Sequence, residues 1–545
     1  MKRMYRFVCL LLACLMMVGT LTACDLADAL DEALRDILDD QGDRYEDDEE
    51  DEEDEYETKK PAATEEETNS LGRPDETIQW GDSWGEAEMT LPQTEPDSSK
   101  DPFKDPFKDE PLSEEQLVLD KLKLYDFGGM EFTVYCPENM KAEMAAEALT
   151  GDLVNDAAYE RNLLLEESCN LKWVVNVLSN DVMDAAVKTS IMAGADDFQL
   201  IDAPMTSTLS FIASGMLYSY EYLGLEDLSS PWWDQGTAEF KVNGQVYFMA
   251  GAGNTYHNDV TYAMFCNKNL YDEYYGGQSD LYDVVLEGMW TLDKMEACVQ
   301  DCYVDLNGNG KRDGEDLYGF STYIGYANAF FVGSGLRYVA PDEDGVLAVT
   351  LSTNMLSEVG SRISYMYNQQ DSTFVSSVGE DTLAQNMFRE GRSMFYGDML
   401  GQAWNVQDGG EDIRIIPVPK YDAEQITYST WAAPVASVLS VPCTARDDGD
   451  MLRVILEGYT AASYLLVKPV YYETVMMMRA WDDPASRDVL DIVLDNRVYD
   501  YGLMDGSEAY SCFENGVIYD NVVVMYNRVV KSLAKSLDKF LKSAQ

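Results

Sequence analysis

The chain has 545 residues, 99 acidic against 39 basic, which gives a formal net charge of −60 and an isoelectric point near 4.1. That balance excludes a nucleic-acid partner, because a phosphate backbone has to be met by clustered Lys and Arg. A single histidine, His257, with no HExxH or GxSxG pattern, excludes a histidine-built zinc site and leaves a Ser-His-Asp triad only one imidazole.

Lys2, Arg3 and Arg6 precede an apolar run over residues 7–21, which closes in Leu21-Thr22-Ala23-Cys24. A basic region, a short apolar core and a small-residue cleavage site predict a signal peptide over 1–23. The cysteine at its end resembles that of a bacterial lipobox, which implies acylation of Cys24 and a chain anchored to a membrane, facing outward. Leu11-Leu12-Ala13-Cys14 is a weaker copy that leaves almost no apolar core. Residues 24–115 are Asp, Glu, Pro, Thr and Ser with few apolar positions, and 46–55 is an unbroken acidic run. Such a segment buries too little surface to offset the entropy of ordering it, so it reads as an extended, self-repelling tether. Leu26, Leu30, Leu34, Ile37 and Leu38 have helical spacing near its start, and the tandem DPFK of 101–108 is too short to define a repeat fold.

From 116 onward the composition is that of a folded protein, and some 430 residues exceed what one core covers, so two lobes are expected. Strands are predicted at 132–136, 171–177 and 198–201, with helices at 155–167 and 182–192 between them. Strands alternating with helices imply the α/β class and a parallel sheet, whose ligands bind beyond the carboxyl ends of the strands. Asp202 follows the third strand in that kind of position. Later come a helix at 290–302, strands at 413–418 and 435–441, and helices at 450–466, 485–494 and 519–541. Seven cysteines follow Cys24, an odd number without clustered spacing, which describes no disulfide framework; Cys298 and Cys302 read as buried thiols on one helical face.

Residues 305–316, DLNGNGKRDGED, have calcium-loop spacing. Asp305, Asn307 and Asn309 supply oxygens at positions one, three and five, and Gly310 allows the sharp turn at six. Lys311 offers its carbonyl at seven, Asp313 stands at nine, and Asp316 holds position twelve, where a bidentate Glu is usual. A structural calcium ion of weak, extracellular affinity is expected. Trp232, Trp233, Tyr256, Tyr262, Tyr326, Trp404 and Trp431 stand in loop-like surroundings rich in Gly, Asn and Asp, a mixture that suits stacking on a sugar ring, although each also fits a core. Two carboxylates suffice for glycoside hydrolysis, and a chain this acidic offers many pairs by chance.

PWWDQ (231–235), AMFCNK (263–268), WTLDK (290–294) and DLYGF (316–320) occur in an order that resembles the extracellular solute-binding proteins of ABC importers. The similarity is to their carbohydrate-associated, maltose-binding-protein-like branch, and it covers about 125–500. EGRSM (390–394), IPVPK (416–420), Tyr471-Tyr472 and LDIVLDNR (490–497) fit its later part. The resemblance implies a two-lobed, type II-like clamshell with crossings near 261–267 and 427–437. Lobe 1 is then 116–265 with a return over 426–468, and lobe 2 is 266–425 with 469–545. It implies ligand contacts from Asp202, Trp232, Tyr262, Tyr326, Asn328, Trp404 and Trp431, a small-molecule ligand, membrane permease subunits as partners, a monomer and no covalent chemistry. The readings that stand beside it are a surface adhesion or sensory receptor on the same fold and a carboxylate-dependent glycosidase.

Overall fold

A computed structural model describes residues 113–544 except 277–279, 378–380, 407–411, 447–449 and 477–483. The signal peptide, Cys24 and the tether through residue 112 lie outside the described residues. All described residues belong to one compact unit, Pro102–Gln545. It opens with helix Glu114–Leu122, whose Ser113 cap and Gln116 side chain bond reciprocally to each other's backbone N–H. The fold therefore begins slightly before the expected end of the tether.

Four strands come first: β1 (Met130–Pro137), β2 (Leu171–Leu178), β3 (Leu200–Pro204) and β4 (Leu217–Tyr218). Alternation turns Phe132, Val134 and Cys136 of β1 inward. Helix Leu153–Cys169 stops at Asn170, which adopts φ 50°, and the chain turns straight into β2. The second series is β5 (Tyr262–Asn267), β6 (Tyr303–Val304), β7 (Leu317–Tyr323), β8 (Val339–Pro341), β9 (Leu347–Val349), β10 (Thr373–Ser376), β11 (Ser393–Met399) and β12 (Ile413–Ile416). β13 (Thr430–Trp431), β14 (Ser437–Pro442) and β15 (Arg497–Val498) complete the strands.

These strands form two main sheets, ordered β2-β1-β3-β14-β4 and β10-β7-β11-β5-β12, with β6 added to β7. Each has parallel neighbours and strands that run the other way: β14 lies antiparallel beside β3 and β4 in the first, and in the second β5 lies antiparallel beside β11 and β12, and β6 beside β7. The chain thus leaves the first sheet, builds the second, and returns to place β14 in the first. The two crossing segments pair with each other, Thr261 opposite Ala432, with Ala433 N–H donating to Val260 C=O at 3.0 Å. This is the two-lobed α/β plan expected from the sequence. β3 is longer than expected and runs on through Asp202, which sits inside the strand rather than after it.

Helix Met451–Met476 is one continuous element with Pro469 inside it, and it passes through the expected 468/469 boundary. Its Leu452, Ile455 and Tyr459 share a buried cluster with Phe132 and Val134 of β1. Its Tyr471, Tyr472 and Val475 share another with Phe265 of β5 and Tyr396 of β11. Helix Leu292–Val299 is shorter than expected, so Cys302 lies beyond it, and both Cys298 and Cys302 are buried free thiols. Among the described residues no helix is long and apolar enough to cross a membrane.

Candidate functional site

The carboxyl end of the second sheet brings together Tyr323 at the end of β7, Asp398 and Met399 at the end of β11, and Tyr262, which opens the antiparallel β5 opposite Met399. Such an edge is where parallel sheets present loops to a ligand. After β7 the chain makes a single 3₁₀ turn and enters helix Ala327–Gly333, which carries Asn328. Two glycines make room here. A Cβ on Gly397 would lie 2.5 Å from the Tyr326 ring, and one on Gly325 would lie 2.8 Å from the Tyr323 ring and 3.7 Å from Glu514 Oε1.

Trp431, in the returning crossing, lies flat on Tyr262, with ring centroids 4.3 Å apart and an interplanar angle of 13°. Tyr510 tilts against Trp431 at 6.1 Å. Tyr323 donates its hydroxyl to that of Tyr262 at 3.0 Å, and Tyr326 donates to Ala263 C=O at 2.8 Å. Asn328 Nδ2 donates to Tyr510 C=O at 3.1 Å and to Glu514 Oε1 at 2.8 Å. At this edge Trp431 Nε1, Asn328 Oδ1 and Tyr367 Oη are buried without a partner among the described residues. Burial pushes the Glu514 carboxyl up to about 7 and the Tyr510 phenol to about 12, and it keeps Tyr262, Tyr323, Tyr326 and Tyr367 neutral. Flat ring faces, uncommitted donors and acceptors, and half-buried carboxyls suit a polar ring-bearing molecule.

Of the residues expected at a ligand, Tyr262, Tyr326, Asn328 and Trp431 stand together here, Tyr326 with its hydroxyl already satisfied by backbone. Trp404 is 41 % exposed on helix Ala403–Val406 and joins none of these ring contacts. Trp232 is buried in the first lobe's core, beside a separate cavity of about 250 Å³ that it shares with Asp234, Tyr464, Lys468 and Arg497. Asp202 has no exposed surface, and its carboxyl faces Glu143 in the interior, so it is a structural acid in this conformation. Sequence reasoning missed Tyr323, Tyr367, Asp398, Tyr510 and Glu514. A lone acid on the apolar helix Cys512–Ile518 was the signal available for Glu514.

The Asp202 network ties the first sheet to both crossings. Glu143 Oε2 accepts from Tyr256 N–H at 2.8 Å, and Asn254 Nδ2 donates to Asp202 Oδ1 at 3.4 Å and to Ser437 Oγ at 3.4 Å. Glu143 Oε1 and Asp202 Oδ2 have no donor among the described residues, and the two carboxyls face each other. A proton shared between them fills that need; burial raises both values, Glu143 to about 7, and the neighbouring Glu143 charge raises Asp202 further. Arg161, itself unexposed, donates to Glu143 C=O at 2.8 Å and to Tyr459 Oη at 3.1 Å. His257 links Ser437 C=O at 2.7 Å to Tyr499 Oη at 2.8 Å, and burial lowers its value to about 4, so it stands neutral as a structural bridge.

Loop 305–316 joins β6 to β7. Asp305 accepts from Gly308 N–H at 2.7 Å and Gly310 N–H at 2.9 Å, Asn307 from Asn309 N–H at 2.9 Å, and Asn309 from Lys311 N–H at 2.6 Å. Asp316 is buried, accepting from Leu306 N–H at 3.2 Å and Tyr303 Oη at 3.0 Å. The Asp305, Asn307 and Asn309 side chains thus close the first half of the loop on its own backbone, and the Asp316 carboxylate is engaged by the protein. Among the described residues no three acid, His or Cys side chains converge as a metal-holding group.

No family model matches the chain, and no curated protein matches it. Solved structures do resemble it. An ABC substrate-binding protein of Listeria monocytogenes in complex with cycloalternan aligns over 75 % of this chain and 99 % of its own, with 14 % identity and a TM-score of 0.48. MalX of Streptococcus pneumoniae in complex with maltopentaose aligns over 74 % and 99 %, with 14 % identity and a TM-score of 0.45. UgpB of Mycobacterium tuberculosis in complex with glycerophosphocholine aligns over 76 % and 99 %, with 13 % identity and a TM-score of 0.48.

Proposed function

We propose that the chain is the solute-binding component of an ABC importer, anchored by lipid at Cys24 on the outer face of the cytoplasmic membrane. It captures a sugar or oligosaccharide by lobe closure, hands it to a permease and performs no covalent chemistry; its work is a difference in affinity between open and closed states. The observation that carries this reading is the Trp431–Tyr262 stack at the sheet edge beside a crossing, with the Trp431 Nε1 donor and the Asn328 Oδ1 acceptor uncommitted. The acidic tether then serves as a spacer between lipid and receptor. A thermal-shift screen of glycans and peptides at constant calcium tests it. A saturable rise in Tm with a glycan is expected, and a large shift with a peptide but with no glycan sinks the carbohydrate assignment.

We also propose that loop 305–316 takes up calcium as a staple between β6 and β7, through Asp305, Asn307, Asn309, the Lys311 carbonyl, Asp313 and Asp316. At a hundredfold excess over Kd the ion adds about 2.7 kcal/mol. Chelation should lower Tm by a few degrees, and Asp305→Ala should abolish the response to added calcium. A melting temperature indifferent to both treatments would reduce the loop to a turn.

A further inference from the structure

The cavity of about 250 Å³ beside Trp232 has none of its walls in the Tyr262–Trp431 cluster. We infer that it is a second small-molecule site, which takes a neutral polyol of a single ring, a monosaccharide or a cyclitol, with the Lys468 ammonium as its main donor. Three parts of the fold enclose it. Trp232 and Trp233 come from the loop before helix Gln235–Glu239, Tyr464 and Lys468 from helix Met451–Met476, and Asp495 and Arg497 from the end of helix Ala485–Asp495 and from β15. These walls are braced without a ligand. Arg497 donates to Asp234 Oδ2 and to Asn258 Oδ1, each at 2.7 Å, and Asp234 Oδ1 accepts from Thr237 N–H at 2.8 Å. Gln235 Nε2 holds the loop by donating to Leu228 C=O at 3.1 Å and Trp233 C=O at 3.0 Å. The space is therefore set by hydrogen bonds and an ion pair, and a ligand entering it has little left to order.

What the walls leave uncommitted describes the ligand. Lys468 Nζ reaches its ion-pair partner Asp491 only at 4.0 Å, and it lies 5.1 Å and 5.2 Å from the ring centroids of Tyr464 and Tyr472, so its three N–H donors have no close acceptor among the described residues. Asp495 and the Tyr464 hydroxyl take part in no hydrogen bond there, and Trp232 Nε1 is buried without an acceptor. The charged side chains that line the cavity are two acids, Asp234 and Asp495, and two bases, Lys468 and Arg497. Neither an anion nor a cation meets a net opposite charge among them, whereas a hydroxyl gives one hydrogen bond and takes others and so serves both kinds of group. The aromatic rings in the wall supply apolar surface for the C–H groups of a sugar or cyclitol. Pockets for drug-sized molecules run to about 300–1,000 Å³, so the smaller space here suits one ring and not an oligosaccharide. Such a ligand touches both halves of the fold: Trp232 belongs to the core built on β1, and Tyr472 and Leu494 to the core built on β5 and β11.

The test is calorimetry on the full chain with glucose, myo-inositol, glucuronate and glucosamine as probes. At least one of the two neutral probes is expected to bind saturably, with the same affinity in Trp431→Phe and an affinity at least about tenfold lower in Lys468→Met, as loss of one charged donor implies. A neutral probe whose binding falls in Trp431→Phe and holds in Lys468→Met occupies the Tyr262 edge, which overturns the inference and supports the solute-site reading. Failure of both neutral probes overturns the inference alone, because the oligosaccharide screen still decides the other site. Tighter binding of glucuronate or glucosamine than of either neutral probe overturns the assignment of a neutral ligand. If Lys468→Met unfolds, acetylation of Lys468 is followed by mass spectrometry in Trp431→Phe with and without saturating probe. Protection is expected, and equal labelling overturns the inference.

Discussion

Replacing Arg161 with methionine is expected to destabilise the protein by about 3–5 kcal/mol at pH 8 and by much less at pH 5. The guanidinium is unexposed, lies 4.3 Å over the Tyr459 ring, and is the positive charge that acts on the Glu143–Asp202 pair. The sign follows from proton binding. Both carboxyls titrate above their ordinary range in the folded state, so the folded chain holds more protons than the unfolded one. Stability therefore falls as pH rises from the ordinary carboxylate range toward the folded value, which is about 7 for Glu143. Removing the guanidinium raises the folded values further and deepens that fall. Urea denaturation of Arg161→Met and the wild type at both pH values measures it, and Glu143→Gln should flatten the wild-type decline. A loss below about 1 kcal/mol, the same at both pH values, would show that the pair does not depend on this cation.

The second large effect is at Trp431. Truncation to alanine removes a ring that is 1 % exposed and stacked on Tyr262, and large-to-small changes of this kind lose about 3–5 kcal/mol. Stability alone says little about binding, so phenylalanine is the sharper variant. Trp431→Phe keeps an aromatic face on Tyr262 and deletes the Nε1 donor, which has no partner among the described residues. Calorimetry is expected to show ligand affinity reduced about tenfold, with Tm changed by only a few degrees. Unaltered affinity in the phenylalanine variant would mean that the indole N–H does not reach the ligand, and the ring is then core.

The alternation of β1, β2 and β3 with their helices was readable because apolar periodicity is local, and the strands emerged within a few residues of their expected places. β14 was readable as a strand but not as the antiparallel partner of β3, since pairing across more than two hundred residues leaves no local mark. The site divides along the same line. Tyr262, Asn328 and Trp431 stand in segments whose composition marked them. Tyr367 sits on an ordinary amphipathic helix and Glu514 on a short apolar one, and they become site residues only because helices Thr353–Asn368 and Cys512–Ile518 pack together behind Asn328. Asp202 was misread for a physical reason: an acid beside an apolar strand signals a ligand unless a second acid is buried against it. Glu143, fifty-nine residues earlier, could not be matched to it without the fold.

The helix that carries Pro469 has a mechanical meaning. Its first turns are embedded in the core against β1, and its last turns in the core against β5 and β11, so it acts as a strut clamped at both ends. Proline has no N–H to give Leu465 C=O, and its ring crowds that carbonyl, which makes this the most compliant turn of a rod about 39 Å long. A strut of that kind converts rotation of one sheet against the other into bending at a single point, while the paired crossings at Thr261 and Ala432 act as the pivot. Under the proposed lobe closure, the stiffness of that one turn would set how far, and how readily, one sheet swings against the other.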